Sequence, residues 1–147
     1  MEGYVKLFFA LEQDGDGYPP VAVESLWAVP AGQPHEYRLD NIPFFARQAT
    51  DGDVVRASEG DGGVLWFERM VKPSGKSLLR VTFFQPTKVQ EVRAALERIG
   101  CATEWDDAHC LVSVSVPLSI ELKSVQSYLE DQAQAGYLDY EEALLRQ

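Results

Sequence analysis

At 147 residues and 16.4 kDa the chain is long enough for one domain or two small ones, and folding at this length buries roughly 70% of the unfolded surface. A hydrophobic fraction of 46% with 11% aromatics excludes a disordered chain, and two cysteines exclude a disulfide-held scaffold. A net charge of −10 repels phosphate backbones and attracts basic partners, and no apolar run approaches the roughly 20 residues of a membrane-spanning helix.

The first segment, MEGYVKLFFALEQDGDG, reads as a strand over Tyr4–Leu11 rather than a signal peptide, which predicts a cytoplasmic protein. EQDGDGYPPVAVE then imitates the start of an EF-hand, with Glu12, Asp14, Asp16 and Gly17 in register. The twelfth position is Val23 and Glu24 arrives one residue late, while Pro19 and Pro20 stand where a helix would emerge; an acidic turn between strands is the better reading. Val21–Val29 alternates as a second strand, Glu36–Ile42 as a third, and Val54–Ser58 and Val64–Lys72 flank the turn EGDGG as the fourth and fifth. Five short strands without a helical period predict a strongly bent sheet or small β-barrel over residues 1–72.

After PSGK the texture changes. Ser77–Phe84 is a strand, and PTKVQEVRAALERIG places Val89, Val92, Leu96 and Ile99 at helical spacing, with Thr87 as cap and Gly100 as stop. CATEW and CLVSVSV form a hairpin; a turn near Trp105 and Asp106 would set Cys101 and Cys110 opposite each other, in disulfide reach but expected as thiols in a reducing cytosol. A second helix from about Ser119 to Gly136 turns Ile120, Leu122, Val125, Leu129 and Ala133 inward, and LDYEEALLRQ reads as a short C-terminal helix capped by Asp139. The expected fold is therefore α+β, the barrel-like half being followed over 77–147 by a ferredoxin-like β-α-β-β-α unit, with a fourth strand unaccounted for.

Few residues suggest chemistry. PSGKS lacks the first glycine of a phosphate loop and feeds a strand, and the spacing of Cys101, Cys110, His35 and His109 supports no zinc site. No cofactor motif is present, and His109 beside Asp106 and Asp107 reads as a surface turn histidine rather than a general base. RLDNIPFFAR is the most unusual stretch: Asp40, Asn41 and Arg47 form a candidate ligand loop, which offers an alternative reading as a small-ligand-binding protein or enzyme, or else Asn41 and Pro43 shape a turn, the two Phe plug the barrel and Arg47 pairs with Asp40. Arg38, Arg47, Arg56, Arg69, Lys72 and Arg80 offer an alternative reading as a regulatory RNA-associated module, against which stand the charge and the rings missing from VSVSV.

Acid is concentrated at the ends. Residues 1–36 hold six acids and one base, 37–100 eight acids and ten bases, and 101–147 nine acids and two bases. In the last segment Asp106, Asp107, Glu130, Asp131, Asp139, Glu141 and Glu142 are interleaved with Tyr128, Tyr137 and Tyr140. Such a mixture suits a surface that seizes a basic protein, since carboxylates steer and tyrosine supplies contact area at low entropic cost.

LEQDGDGYPPVAVESLWA, with DGYPPVAVESLWA at its heart, and YRLDNIPFFARQATDGDVVRA together resemble a bacterial family described only as a domain of unknown function; SLLRVTFF and YLDYEEALL extend the likeness along nearly the whole chain, and EWDDAHC departs from it. The resemblance implies a bacterial, intracellular protein and carries no activity or catalytic residue. By analogy of size and charge, the expected function is that of an immunity-type inhibitor, a non-enzymatic binder that neutralises a co-encoded basic toxin such as a nuclease.

Overall fold

The computed structural model describes residues 3–147; Met1 and Glu2, the latter one of the N-terminal acids counted above, lie outside them. The chain is α+β and divides into two compact units, Met1–Ser74 and Gly75–Gln147.

In the first unit β1 (Val5–Ala10), β2 (Val23–Pro30), β3 (Glu36–Leu39), β4 (Val54–Glu59) and β5 (Leu65–Lys72) form a closed barrel. Successive strands pair antiparallel, and the parallel pairing of Leu7 with Leu65 and Phe8 with Trp66 joins β1 to β5, leaving no open edge. Alternation decides which side chains enter: Leu7 and Phe9 of β1, Leu26 and Ala28 of β2, Leu39, Val55 and Ala57 are buried, with Phe9 stacked on Phe67 at 4.7 Å. Each buried Leu or Phe contributes roughly 1.5–3 kcal/mol. On the outer side Tyr4 lies edge-on to Trp27, Lys6 sits over the Trp27 ring and Phe8 packs against Trp66.

The acidic turn is built by Asp14, whose Oδ1 accepts from the N–H groups of Asp16 and Tyr18, both at 2.9 Å. This carboxylate thus closes a tight turn on the backbone.

The second unit is a four-stranded antiparallel sheet in the order β7-β8-β6-β9, built from β6 (Ser77–Phe83), β7 (Ala102–Asp106), β8 (Leu111–Val116) and β9 (Leu138–Leu144). Helices α1 (Val89–Ile99) and α2 (Leu122–Gln134) pack on the face carrying Leu79, Val81, Phe83, Val112, Val114, Val116 and Leu138, into which they set Val92, Leu96, Val125 and Leu129. Among the described residues no helix is long and apolar enough to cross a membrane.

Three local expectations are corrected. The C-terminal segment is not a short helix: Leu138–Leu144 is β9, hydrogen-bonded to β6, and it is the strand missing from the β-α-β-β-α count. Glu, Ala and Leu favour a helix by intrinsic preference, but β6 is buried throughout most of its length and needs a neighbour on each side, so tertiary pairing prevails. Asp139 accordingly accepts the N–H of Tyr140 instead of capping a helix.

Thr87 does not cap α1, because Pro86 opens a 3₁₀ turn over Pro86–Lys88 that feeds the helix directly. The cysteines are not opposite each other either. The hairpin turns through Asp107–His109, and Ala102 faces Ser115 while Asp106 faces Leu111, so Cys101 and Cys110 stand at opposite ends of β7 as free thiols. Burial pushes the Cys101 thiol up to about 11.

Candidate protein-binding surface

Helix α2 sorts its side chains by period. Leu122, Val125 and Leu129 point into the core, while Lys123, Gln126, Ser127, Glu130 and Asp131 fall on the outward stripe. Beside that stripe runs β9, an edge strand whose Leu138 and Tyr140 pack with the helices. An open groove of about 370 Å³ between them is lined by Lys123, Gln126, Ser127, Glu130, Asp131 and Tyr140.

The groove is ordered by its own polar contacts. The Tyr140 hydroxyl donates to Glu130 Oε2 at 3.1 Å, and Gln126 Nε2 donates to Glu142 Oε1 at 2.7 Å. Burial, then the hydrogen bond to Glu130, then the charges of Glu130, Glu142 and Asp139 hold the Tyr140 phenol above its ordinary value. Several carboxylates acting on one phenol mark a local negative field.

That shift carries a sign. A phenol raised on folding contributes stability that is complete below the ordinary tyrosine pKa and disappears as pH rises through the folded value. Phenolate absorbance during alkaline titration should therefore show Tyr140 ionising later than an unperturbed tyrosine. In Glu130→Gln, which removes the nearest carboxylate charge, it should ionise earlier than in the unaltered protein.

The other residues of the predicted surface lie elsewhere. Glu141 points to the opposite face of the sheet, its Oε1 3.6 Å from Nη1 of Arg80, a side chain only 2% exposed. Tyr128 is half-buried, and its phenol is raised by burial and by Glu91 against the opposing influence of Arg98 and Lys88. Tyr137 lies under the Lys88 ammonium at 4.3 Å. Asp139 is exposed at the start of β9.

Asp106 and Asp107 sit at the tip of the β7–β8 hairpin, on the sheet edge away from β9. Asp106 closes that turn, accepting from Ala108 N–H and lying 2.6 Å from His109 Nδ1. The structure therefore assembles Glu130, Asp131, Tyr140 and Glu142 into one surface and separates the rest from it.

In the barrel unit the three residues of the candidate ligand loop have separate surroundings. Asn41 Oδ1 accepts the Trp27 N–H at 2.6 Å, fixing the exit from β3; Asp40 is exposed, and among the described residues it forms no ion pair with Arg47. Ala46 and Ala49, rather than the two Phe, join the barrel core, while Phe45 is buried edge-on to Tyr18.

What holds the segment is a residue the sequence did not single out. The Glu24 carboxylate accepts three consecutive N–H groups, from Phe44 at 2.6 Å, Phe45 at 3.1 Å and Ala46 at 2.8 Å. Successive amides pointing inward form a natural anion cradle, here filled by the chain's own side chain. A lone Glu in an alternating strand gives no sequence signal for this, because its partners are main-chain groups twenty residues away.

Of the basic residues of the alternative reading, Arg38, Arg56, Arg69 and Lys72 lie on the adjoining strands β3–β4–β5, where Arg38 and Lys72 flank Val54 and Arg56 faces Arg69 while pairing with Glu68 at 3.4 Å; Arg80 is buried in β6 of the other unit.

A solved structure described as a hypothetical protein from Neisseria gonorrhoeae is similar over 97% of this chain and 95% of that one, with a TM-score of 0.75 and 21% sequence identity, a likeness of fold. Comparison with curated proteins gave no match. A family model described as Domain of unknown function (DUF4265) matches residues 24–140, most of both units, and the chain belongs to that family.

Proposed function

We propose that this is a non-enzymatic protein-binding protein of the bacterial cytoplasm, most concretely an immunity-type inhibitor that neutralises a basic toxin through the α2–β9 surface. The observation that carries the reading is the gathering of Glu130 and Asp131 with Tyr140 in an open groove, to which Glu142 is tied through Gln126. Three carboxylates beside an aromatic ring offer a nuclease-like partner what its own substrate offers, negative charge next to a flat apolar face. Occupation of that partner's basic cleft would exclude nucleic acid from it.

Carboxylates at an open rim steer association more than they tighten it, so the complex should form fast and lose affinity as salt rises. The test is co-expression of the protein with the product of a neighbouring toxin-like gene, followed by calorimetric titration of the purified pair at increasing ionic strength. The reading expects rescued growth and a nanomolar complex weakened by salt. A complex insensitive to salt, or no complex with a basic co-encoded product, would count against it.

A further inference from the structure

The barrel unit contains a second concavity, independent of the acidic surface. A groove of about 320 Å³ opens between the end of β1 and the segment following Pro43, within the size range of small-ligand sites. Its floor is apolar and largely buried, made by Leu11, Pro19 and Phe45, and its rim is polar, made by Glu12, Arg47 and Gln48.

The polar groups are of opposite kinds. Among the described residues the Arg47 guanidinium has no ion-pair partner, so its fork of N–H donors is available to a planar anion. Gln48 Oε1 accepts the Arg47 main-chain N–H at 3.2 Å, which leaves the amide N–H₂ of Gln48 as a further donor. Glu12 is an exposed acceptor on the same rim.

The segment bearing Phe45 and Arg47 is not a loose loop, because Glu24 grips three of its amides; the groove wall is set before any ligand arrives.

From this arrangement we infer that the groove binds an apolar α-carboxylate of the amino-acid type, its carboxylate on Arg47, its side chain on Phe45, Pro19 and Leu11, and its α-nitrogen on Glu12. A free amino acid and the C-terminal residue of a peptide share that chemistry: both present a carboxylate, an adjacent N–H and an apolar side chain. A phosphate ester fits less well, since Glu12 would repel its second charge and the apolar floor would meet no hydrocarbon.

The experiment is amide-resolved NMR titration of the full chain with L-leucine, N-acetyl-leucine, the tripeptide Gly-Gly-Leu and leucinamide, following residues 10–12 and 45–48. At least one of the three carboxylates should perturb those amides saturably, leucinamide should not, and Arg47→Met should weaken binding at least tenfold with an unchanged melting temperature. Tighter binding of leucine than of the tripeptide assigns the site to a free amino acid, and the reverse order assigns it to a peptide terminus. Silence with all three carboxylates at millimolar concentration, equal binding of leucinamide, or undiminished binding by Arg47→Met would overturn the inference.

Discussion

Glu24→Ala is expected to destabilise the protein by about 3 kcal/mol, on the order of a 15 °C fall in melting temperature for a unit of this size. Three main-chain donors now share one carboxylate, and two of the residues carrying them, Phe45 and Ala46, are buried. Removing the acceptor leaves those amides to find water in a segment where little can reach them, and hydrogen bonds to a charged group are the strong ones. Glu24→Gln should cost less, because one acceptor oxygen remains, but its N–H₂ must then face a donor. Thermal unfolding of the two variants gives the comparison. A shift of only a degree or two in Glu24→Ala would show that the amides are satisfied without the carboxylate.

The second large effect is on binding. In the doubly reversed variant Glu130→Lys plus Asp131→Lys, affinity for a basic partner should fall about 100- to 1,000-fold, or roughly 3–4 kcal/mol, since attraction is replaced by like-charge opposition. Both residues are exposed on the outward stripe in the last turns of α2, where a cation suits the helix dipole, so the fold should be unharmed. Glu141 is the wrong residue for such a test. Its reversal would set a lysine against buried Arg80, and the resulting loss of stability would mimic a loss of binding. Calorimetric affinity together with an unchanged melting temperature is the required pair of readings.

The legible part of the architecture follows from periodicity. Leu7 and Phe9, or Val112, Val114 and Val116, announce a strand by alternation, although β8 is buried on both faces, and Val92 with Leu96 announce a helix by their four-residue spacing. Leu138–Leu144 misled because its residues favour a helix locally, while its true partner, β6, lies some sixty residues earlier; long-range pairing leaves no local mark.

The candidate surface was legible only as composition. A list of acids cannot say that Tyr140 lines a groove with Glu130 and that Glu142 is bonded to Gln126 beside it, while Glu141, between them, faces away to Arg80; that division is set by strand alternation once the segment is known to be a strand. In the same way the sequence offers Asn41 for a ligand loop without any sign that its carbonyl oxygen accepts the Trp27 N–H. Glu24 shows the converse, a carboxylate with no motif around it that organises a whole segment through main-chain donors.

The most direct test of the central claim is a footprint. Amide chemical shifts of the labelled protein, recorded on titration with its basic co-encoded partner, should move along the outer stripe of α2 from Lys123 to Asp131 and along β9 from Asp139 to Glu142, and fade together as salt is raised. Perturbations confined to the barrel, whether around Arg47 or on the outer rings of Trp27 and Trp66, with the α2–β9 amides unmoved, would contradict it.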